Sequence, residues 1–245
     1  MIKHADRIDR IELSGIRKIN ETALQMEREG AKIIHFEIGR PDFDTPQYIK
    51  DEAIRSLQAG DVCYTSNLGK DALRTAVAEY LNNRIHTHYT GKNILIAVGL
   101  SEAIYDLFFT LLNEGDELLV PMPDYPLWTA ATSLSGGTPV HYRCDENAGW
   151  LPDLDDMRAK ITPNTRGIVV INPNNPTGVL YPQELLRGII QIAREHDLVL
   201  LVDEVYDKVL YDGVKFTSMA SLSTDVLTLT FNSLSKAYRS CGYRA

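Results

Sequence analysis

Lys236 is the residue whose position in this sequence most clearly suggests chemistry. It follows the apolar, β-rich run from Val226 to Phe231, so it stands just beyond the end of an expected buried strand. A lysine is most often a surface charge, and on this one residue that alternative stays open. A lysine partly removed from water has a lowered pKa, and its neutral amine can form a Schiff base. The Schiff-base hypothesis therefore needs partner residues elsewhere in the chain.

Asp203 is the first candidate partner. It comes directly after the run Leu198–Val202, where an unpaired carboxylate would be costly to bury. Such a carboxylate needs a cationic partner. A protonated heterocyclic nitrogen would serve, and so would an arginine in a purely structural interpretation.

Three further loops follow predicted strands. Gly99–Glu102 opens a helix whose N–H groups could bind a phosphate, although a turn with a helix N-cap is the commoner explanation. Tyr125 stands between prolines, where its ring could stack on a flat ligand or belong to the core. Residues 172–178, Asn-Pro-Asn-Asn-Pro-Thr-Gly, form a stiff turn whose packed amides indicate that some group is hydrogen-bonded there. The pair His86 and His88 lacks further groups at ligand spacing, so we expect no metal site.

The elements that must position these residues alternate along the chain. Strands are predicted at 33–38, 93–98, 117–120, 139–143, 167–171, 198–202 and 226–231. Helices are predicted at 14–29, 46–59, 70–82, 101–112, 127–134, 154–160 and 182–196. Several strands are apolar on both faces, which indicates a mainly parallel α/β sheet covered by helices. Ligands of such sheets bind at the carboxyl ends of the strands, where the candidate residues stand.

Composition narrows the function classes. The 245 residues carry a net charge of −8, which argues against nucleic acid as a partner. The three cysteines, Cys63, Cys144 and Cys241, lack the spacing of a disulfide framework or a zinc site. No apolar run is long enough to cross a membrane, and the first residues do not form a signal peptide. We expect a cytoplasmic protein.

In this order, the stretches resemble the class I/II pyridoxal-phosphate-dependent aminotransferases of fold type I. The most specific matches are Asn-Pro-x-Asn-Pro-Thr-Gly at 172–178, Asp-Glu-x-Tyr at 203–206, Ser-x-Ser-Lys at 233–236 and Gly-x-Arg at 242–244. The resemblance covers residues 14–245. Within the family, residues 123–128 and 203–211 look closest to the bacterial alanine (glutamate–pyruvate) aminotransferases.

The resemblance implies the cofactor pyridoxal 5'-phosphate and a role for each matching residue. Lys236 would form the Schiff base and then move the proton, and Asp203 would pair with the ring nitrogen and keep it protonated. Tyr206 and Asn175 would hydrogen-bond the phenolic oxygen of the cofactor, and Tyr125 would stack on its ring.

The phosphate and substrate contacts are implied in the same way. Ser233, Arg244 and the first turn of a helix (Leu100, Ser101 and Glu102) would hold the phosphate, with Ser235 a lesser candidate. Tyr64 would reach the phosphate of the other subunit, which requires a homodimer. Gly39 would lie near the substrate carboxylate, and Asn175 also belongs to the substrate site.

The implied fold is a three-layer, mainly parallel sheet with helices on both faces, the incomplete large domain of fold type I. We expect residues 1–45 to form an N-terminal arm or small-domain segment and residues 46–245 the large domain. The chain stops directly after Gly242–Arg244, before the further strand and the smaller C-terminal domain of the family. It is therefore interpreted as a fragment or a truncated reading frame, with one sheet position unfilled beside residues 93–98.

The function implied is transfer of an amino group between an amino acid, alanine or glutamate, and a 2-oxo acid. Alternatives stay open. A C–S lyase, an aspartate aminotransferase or an aromatic aminotransferase would use the same cofactor residues. A cofactor-binding regulatory domain is disfavoured because no basic helix-turn-helix stretch precedes residue 30. The third alternative is an inactive remnant that binds the cofactor weakly or not at all.

Overall fold

The computed structural model describes residues 3–11, 14–39 and 41–244. Six strands form one sheet: β1 (Glu117–Met122), β2 (Thr138–Asp145), β3 (Leu151–Pro152), β4 (Thr165–Ile171), β5 (Val199–Asp203) and β6 (Thr228–Phe231). Their order across the sheet is β3-β2-β1-β4-β5-β6. The short edge strand β3 runs antiparallel to β2, and the other neighbouring pairs are parallel. The predicted mainly parallel sheet is confirmed.

Eight α-helices accompany the sheet within the described residues. They are α1 (Gly15–Arg28), α2 (Gln47–Gln58), α3 (Asp71–Ile85), α4 (Leu100–Leu111), α5 (Leu127–Leu134), α6 (Leu154–Lys160), α7 (Gln183–Glu195) and α8 (Leu234–Ala237). Each predicted helix is present with ends no more than three residues from the expected ones, and α8 was not predicted. No helix in the described part of the chain is long and apolar enough to cross a membrane.

The core has two halves because side chains alternate across the strands. On one face Ile168 and Val170 of β4 pack with Leu186 and Ile189 of α7. On the other face Val169 and Ile171 of the same strand pack against α4 and α5, where Trp128 is fully buried. Helices therefore cover both faces of the central strand β4, whose residues Ile168 to Ile171 are fully buried.

Two predicted strands are absent, and the prediction was wrong for both. Residues 33–38 alternate as expected, but the side chains of Ile34 and Phe36 are 80% and 90% exposed and no strand lies beside them in the described structure. Residues 94–98 lie outside the sheet, and Ile96 donates its N–H to the carbonyl of Leu68 in a loop. A strand needs a hydrogen-bonded neighbour, and an alternating pattern alone does not supply one.

Candidate active site

The loops after β1, β4, β5 and β6 meet at the carboxyl edge of the sheet. This convergence follows from the parallel strand order. A cavity of about 680 Å³ lies there. Its lining includes five of the residues selected from the sequence: Gly39, Tyr125, Asn175, Tyr206 and Lys236.

Lys236 lies in the short helix α8, which begins three residues after β6 ends. Its Nζ donates a hydrogen bond to the carbonyl oxygen of Gly39 over 2.7 Å and lies 5.6 Å from the ring centroid of Tyr206. Burial lowers the pKa of Lys236, and the charges of Cys241 and Asp203 oppose that shift. The lysine amine is therefore easier to deprotonate than a surface lysine and points to the other predicted residues.

Gly39 comes close to the tyrosine that follows β5. A Cβ atom at position 39 would lie 3.3 Å from the hydroxyl oxygen of Tyr206, so a side chain there would crowd that hydroxyl. The glycine thus lets residues from the N-terminal part of the chain reach Lys236 and Tyr206. The next residue, Arg40, lies outside the described residues.

Asp203 is the last residue of β5 and only 2% exposed. Its Oδ1 accepts the N–H of Val205 at 3.1 Å, and its Oδ2 accepts the indole N–H of Trp128 at 3.2 Å. Burial raises the pKa of Asp203 to about 6, against the opposing effect of these two hydrogen bonds and of the charge on Lys236. Both hydrogen-bonded partners in the structure are neutral N–H groups, and Lys236 is the cation whose charge acts on the carboxylate.

Tyr206, Tyr125 and Asn175 are half-buried around the same cavity. Burial raises the pKa of both tyrosines, and the nearby charge of Asp203 raises it further. Both hydroxyls therefore stay protonated at neutral pH and can donate hydrogen bonds. Asn175 adds an amide from the loop after β4.

The predicted phosphate residues form a second group at the start of α4. Gly99 precedes the helix with φ +78°, and a Cβ atom there would collide with the guanidinium group of Arg244. The backbone of Leu100 and Ser101 thus lies beside a cation at a helix N-terminus, an arrangement suited to an anion. The side chain of Glu102 accepts the N–H of Val98 and closes the turn.

Ser233 and Ser235 stand at the start of α8. Ser233 Oγ accepts the N–H of Ser235 at 3.0 Å and donates to Ser235 Oγ at 2.8 Å, so it caps the helix. Ser233 also lines a second cavity of about 340 Å³ between α2, α3 and α8. Tyr64 is fully exposed and does not line the main cavity.

Two residues of this region were not selected as site residues from the sequence. Arg17 of α1 lines the main cavity, and its charge acts on Tyr125. Trp128 of α5 binds Asp203. Both lie far from their partners along the chain, and only the fold brings them together. Within the described ranges no three His, Cys, Asp or Glu side chains gather as metal ligands.

Comparison with known proteins identifies the family. The family model "Aminotransferase class I and II" matches residues 31–245. A solved structure of an aminotransferase from Escherichia coli superposes with a TM-score of 0.94 at 47% identity and covers 100% of this chain and 61% of that one. The chain belongs to the class I and II aminotransferases, and its sheet has the fold of pyridoxal-phosphate-dependent transferases of fold type I.

Two curated relatives are alanine aminotransferases. Glutamate-pyruvate aminotransferase AlaA of Escherichia coli strain K12 is 51% identical over 225 residues, which are 91% of this chain and 55% of the relative. Alanine aminotransferase of Mycobacterium tuberculosis strain H37Rv is 46% identical over 230 residues, 93% of this chain and 54% of the relative. The chain thus spans about half the length of the curated relatives it matches.

Proposed function

We propose that this protein is a pyridoxal-phosphate-dependent aminotransferase that moves an amino group between an amino acid, alanine or glutamate, and a 2-oxo acid. The observation that carries the proposal is the partly buried amine of Lys236, which lies in one cavity with Tyr206, Tyr125 and Asn175 and on which the charge of the buried Asp203 acts. The alanine aminotransferases among the relatives support the choice of substrates.

The donor set fits this cofactor. Pyridoxal phosphate combines an aldehyde, a ring nitrogen, a phenolic oxygen and a phosphate, and when bound it withdraws electrons from the substrate Cα. The amine of Lys236 is matched to the aldehyde and, once released from it, can move a proton to and from the substrate Cα. The carboxylate of Asp203 offers an anion to a protonated ring nitrogen, and the hydroxyl of Tyr206 donates to the phenolic oxygen together with Asn175.

The remaining residues hold the ends of the ligand. Arg244 and the N-terminus of α4 supply a positive site for the phosphate, where Ser233 and Ser235 add hydroxyls. Tyr125 offers its ring as a stacking surface. Both substrates carry a carboxylate, and Arg17 of α1 brings a cation to the wall of the cavity that Gly39 also lines.

The first test is covalent trapping on the lysine. The protein is incubated with pyridoxal phosphate, reduced with borohydride, denatured and digested. We expect the cofactor to stay attached to the peptide that contains Lys236, because a lysine with a lowered pKa reacts with an aldehyde at neutral pH. Mass spectrometry reads the attachment site directly and does not depend on turnover.

Two variants make this test specific. Lys236→Ala should lose the attached cofactor, whereas Lys208→Ala, which removes a lysine between Tyr80 and Tyr238 beside the second cavity, should keep it. Attachment spread over many lysines, or unchanged in Lys236→Ala, would refute the proposed function.

Substrate choice is tested by product analysis. The protein is offered alanine, glutamate, aspartate, aromatic amino acids and cystathionine with suitable 2-oxo acids. We expect glutamate to form from alanine and 2-oxoglutarate. Preferential release of a thiol from cystathionine would show that the protein is a C–S lyase instead.

We also propose a homodimer in the cytoplasm, with residues 1–45 as an arm and 46–245 as the large domain. Exposed apolar side chains between Ile34 and Leu68 support association. The free Cys63, Cys144 and Cys241 are consistent with a reducing compartment. The division near residue 45 is supported by residues 31–39 and 41–46, which carry no helix or strand.

A further inference from the structure

Trp128 is a fully buried residue that the proposed function does not use. It lies in the first turn of α5, and its ring packs against Phe108 at 5.8 Å and edge-on against Phe231 at 5.2 Å between centroids. These two contacts fix the plane of the indole. The indole nitrogen is a donor only, and in this core it donates to Asp203 Oδ2.

The hydrogen bonds of Asp203 restrict its carboxylate. Oδ1 accepts one N–H from the backbone of Val205 and Oδ2 accepts one from Trp128. Rotation of the carboxylate would break both bonds inside a core that excludes water, where an unsatisfied N–H is costly. Of the roughly four lone-pair sites of a carboxylate, these contacts fill two and leave one on each oxygen.

None of the other charged or titratable groups described near Asp203 forms a hydrogen bond with it that could replace the one from Trp128. Lys236 is the cation that acts on it, and its own hydrogen bond goes to Gly39. Glu204 turns to the opposite face of the sheet, where it accepts the hydroxyl of Ser218 and the N–H of Met219. The charge of Asp203 raises the pKa of Tyr206 and of Tyr125. From α4, the packed residues Ile104 and Phe108 are apolar.

We propose that Trp128 is a positioning residue, whose indole N–H holds the carboxylate of Asp203 ionised and in one orientation for pairing with a protonated ring nitrogen. The pairing rests on the proposed function, whereas the contact itself is a property of this chain. Phenylalanine at position 128 would keep most of the packing and lose the N–H. The role is therefore separable from a structural one.

The experiment follows the indole N–H resonances of the ¹⁵N-labelled protein without added cofactor between pH 8 and pH 5. The chain has two tryptophans, and the second, Trp150, directly precedes β3 at the opposite edge of the sheet from β6. A hydrogen bond to a carboxylate weakens when the carboxylate is protonated. We expect the Trp128 proton to move upfield with a midpoint near the pKa of Asp203, about 6, and that of Trp150 to lack this transition.

Four variants decide the result. Asp203→Asn should abolish the Trp128 transition. Glu204→Gln should leave its midpoint in place, although Glu204 also titrates near neutrality. Phe108→Leu, which removes packing on Trp128 but no N–H, should lower stability and keep the midpoint. Trp128→Phe should raise the proton affinity of Asp203 about tenfold, followed by the ¹³Cγ resonance of that carboxyl.

The outcomes separate this inference from the proposed function. If the pH-dependent shift of the Trp128 resonance persists in Asp203→Asn, the inference is overturned, even if the protein binds pyridoxal phosphate. A transition that depends on Asp203, in a protein that fails to trap the cofactor on Lys236, supports the inference and refutes the proposed function. If Trp128→Phe does not fold, the Asp203→Asn comparison still decides.

Discussion

At the residue scale, two acids at the end of β5 have opposite surroundings. Asp203 points to the face covered by α5, where Trp128 binds it, and Glu204 points to the α7 face, where Ser218 and Met219 donate to it at 2.7 and 2.9 Å. Successive residues of a strand face opposite ways, which separates the two carboxylates. Burial raises the pKa of both acids, to about 6 for Asp203 and about 7 for Glu204.

These pKa values predict how stability depends on pH. Glu204 binds a proton more tightly in the folded chain than in the unfolded one, where its pKa is near 4.5. The folded state therefore carries more protons between about pH 4.5 and pH 7, and stability falls as the pH rises through that range. We expect Glu204 to account for a loss of up to about 3 kcal/mol in the free energy of unfolding between pH 5 and pH 8.

Urea unfolding at a series of pH values checks this prediction. Glu204→Gln should reduce the pH dependence, because one of the two titrating acids is gone, and Asp203 accounts for part of the slope that remains below about pH 6. Glu184→Gln, which changes an exposed residue in the first turn of α7, is the matched control and should keep the original slope. Equal slopes in the two variants would contradict the assignment.

At the element scale, Gly167 sets the spacing of two central strands. It lies in β4, and a Cβ atom there would stand 2.7 Å from the carbonyl oxygen of Val199 in β5 and 3.3 Å from a methyl group of Leu118 in β1. The carbonyl oxygen of Val199 belongs to the backbone and cannot rotate out of the way as a side chain could. The tight packing of β4 against β5 therefore depends on the absence of a side chain at this position.

Gly167→Ala should consequently lower the free energy of unfolding by about 2 kcal/mol, the usual cost of forcing extra atoms into a packed core. Gly15→Ala is the matched control, since Gly15 opens α1 and no heavy atom lies within 4 Å of its added Cβ. That variant should be neutral or more stable by up to about 1 kcal/mol, because alanine favours a helix. Denaturant unfolding of both proteins measures the difference, and equal midpoints would show that β4 and β5 can move apart freely.

The same scale explains the two strands that do not form. Residues 33–38 and 93–98 have the alternation or apolar run of a strand, as β4 and β5 do. The strands β4 and β5 pair with neighbours on both sides, whereas the other two segments have no such neighbour in the described structure. Side-chain pattern predicts what a segment would bury, and pairing decides whether it becomes a strand.

At the scale of the whole molecule, exposed apolar side chains concentrate in the first third of the chain. Phe36, Leu57, Val62 and Tyr64 are 90%, 66%, 69% and 107% exposed. An exposed apolar surface commonly marks an interface with another protein. The proposed homodimer would cover this surface and bring Tyr64 of each subunit towards the other subunit.

Sedimentation equilibrium tests the proposed dimer. Val62→Glu should weaken association at least tenfold, because it introduces a charge into an apolar interface that must shed water. Val214→Glu is the matched control, since Val214 is 48% exposed in the loop between β5 and β6, outside that surface, and should not change the mass. A monomeric protein at all concentrations, or equal effects of the two variants, would refute the dimer.

The sequence by itself determined seven of the eight described helices, five strands of the sheet and the motifs of the family. These are properties of short segments, because periodicity, capping residues and turn residues act locally. It also selected Lys236, Tyr206, Tyr125, Asn175 and Gly39, which line one cavity. Parallel strands end at one edge of the sheet. The sequence alone therefore predicts that residues which follow such strands lie close together.

Only the tertiary structure decided which groups touch. It gave Asp203 its two N–H donors, the backbone of Val205 and the indole of Trp128, and it brought Arg17 and Trp128 to the site from distant segments. It also left residues 33–38 and 94–98 outside the sheet. The physical reason is common to all of these: burial, pairing and hydrogen-bond partners depend on neighbours that are distant in sequence, and no local pattern records them.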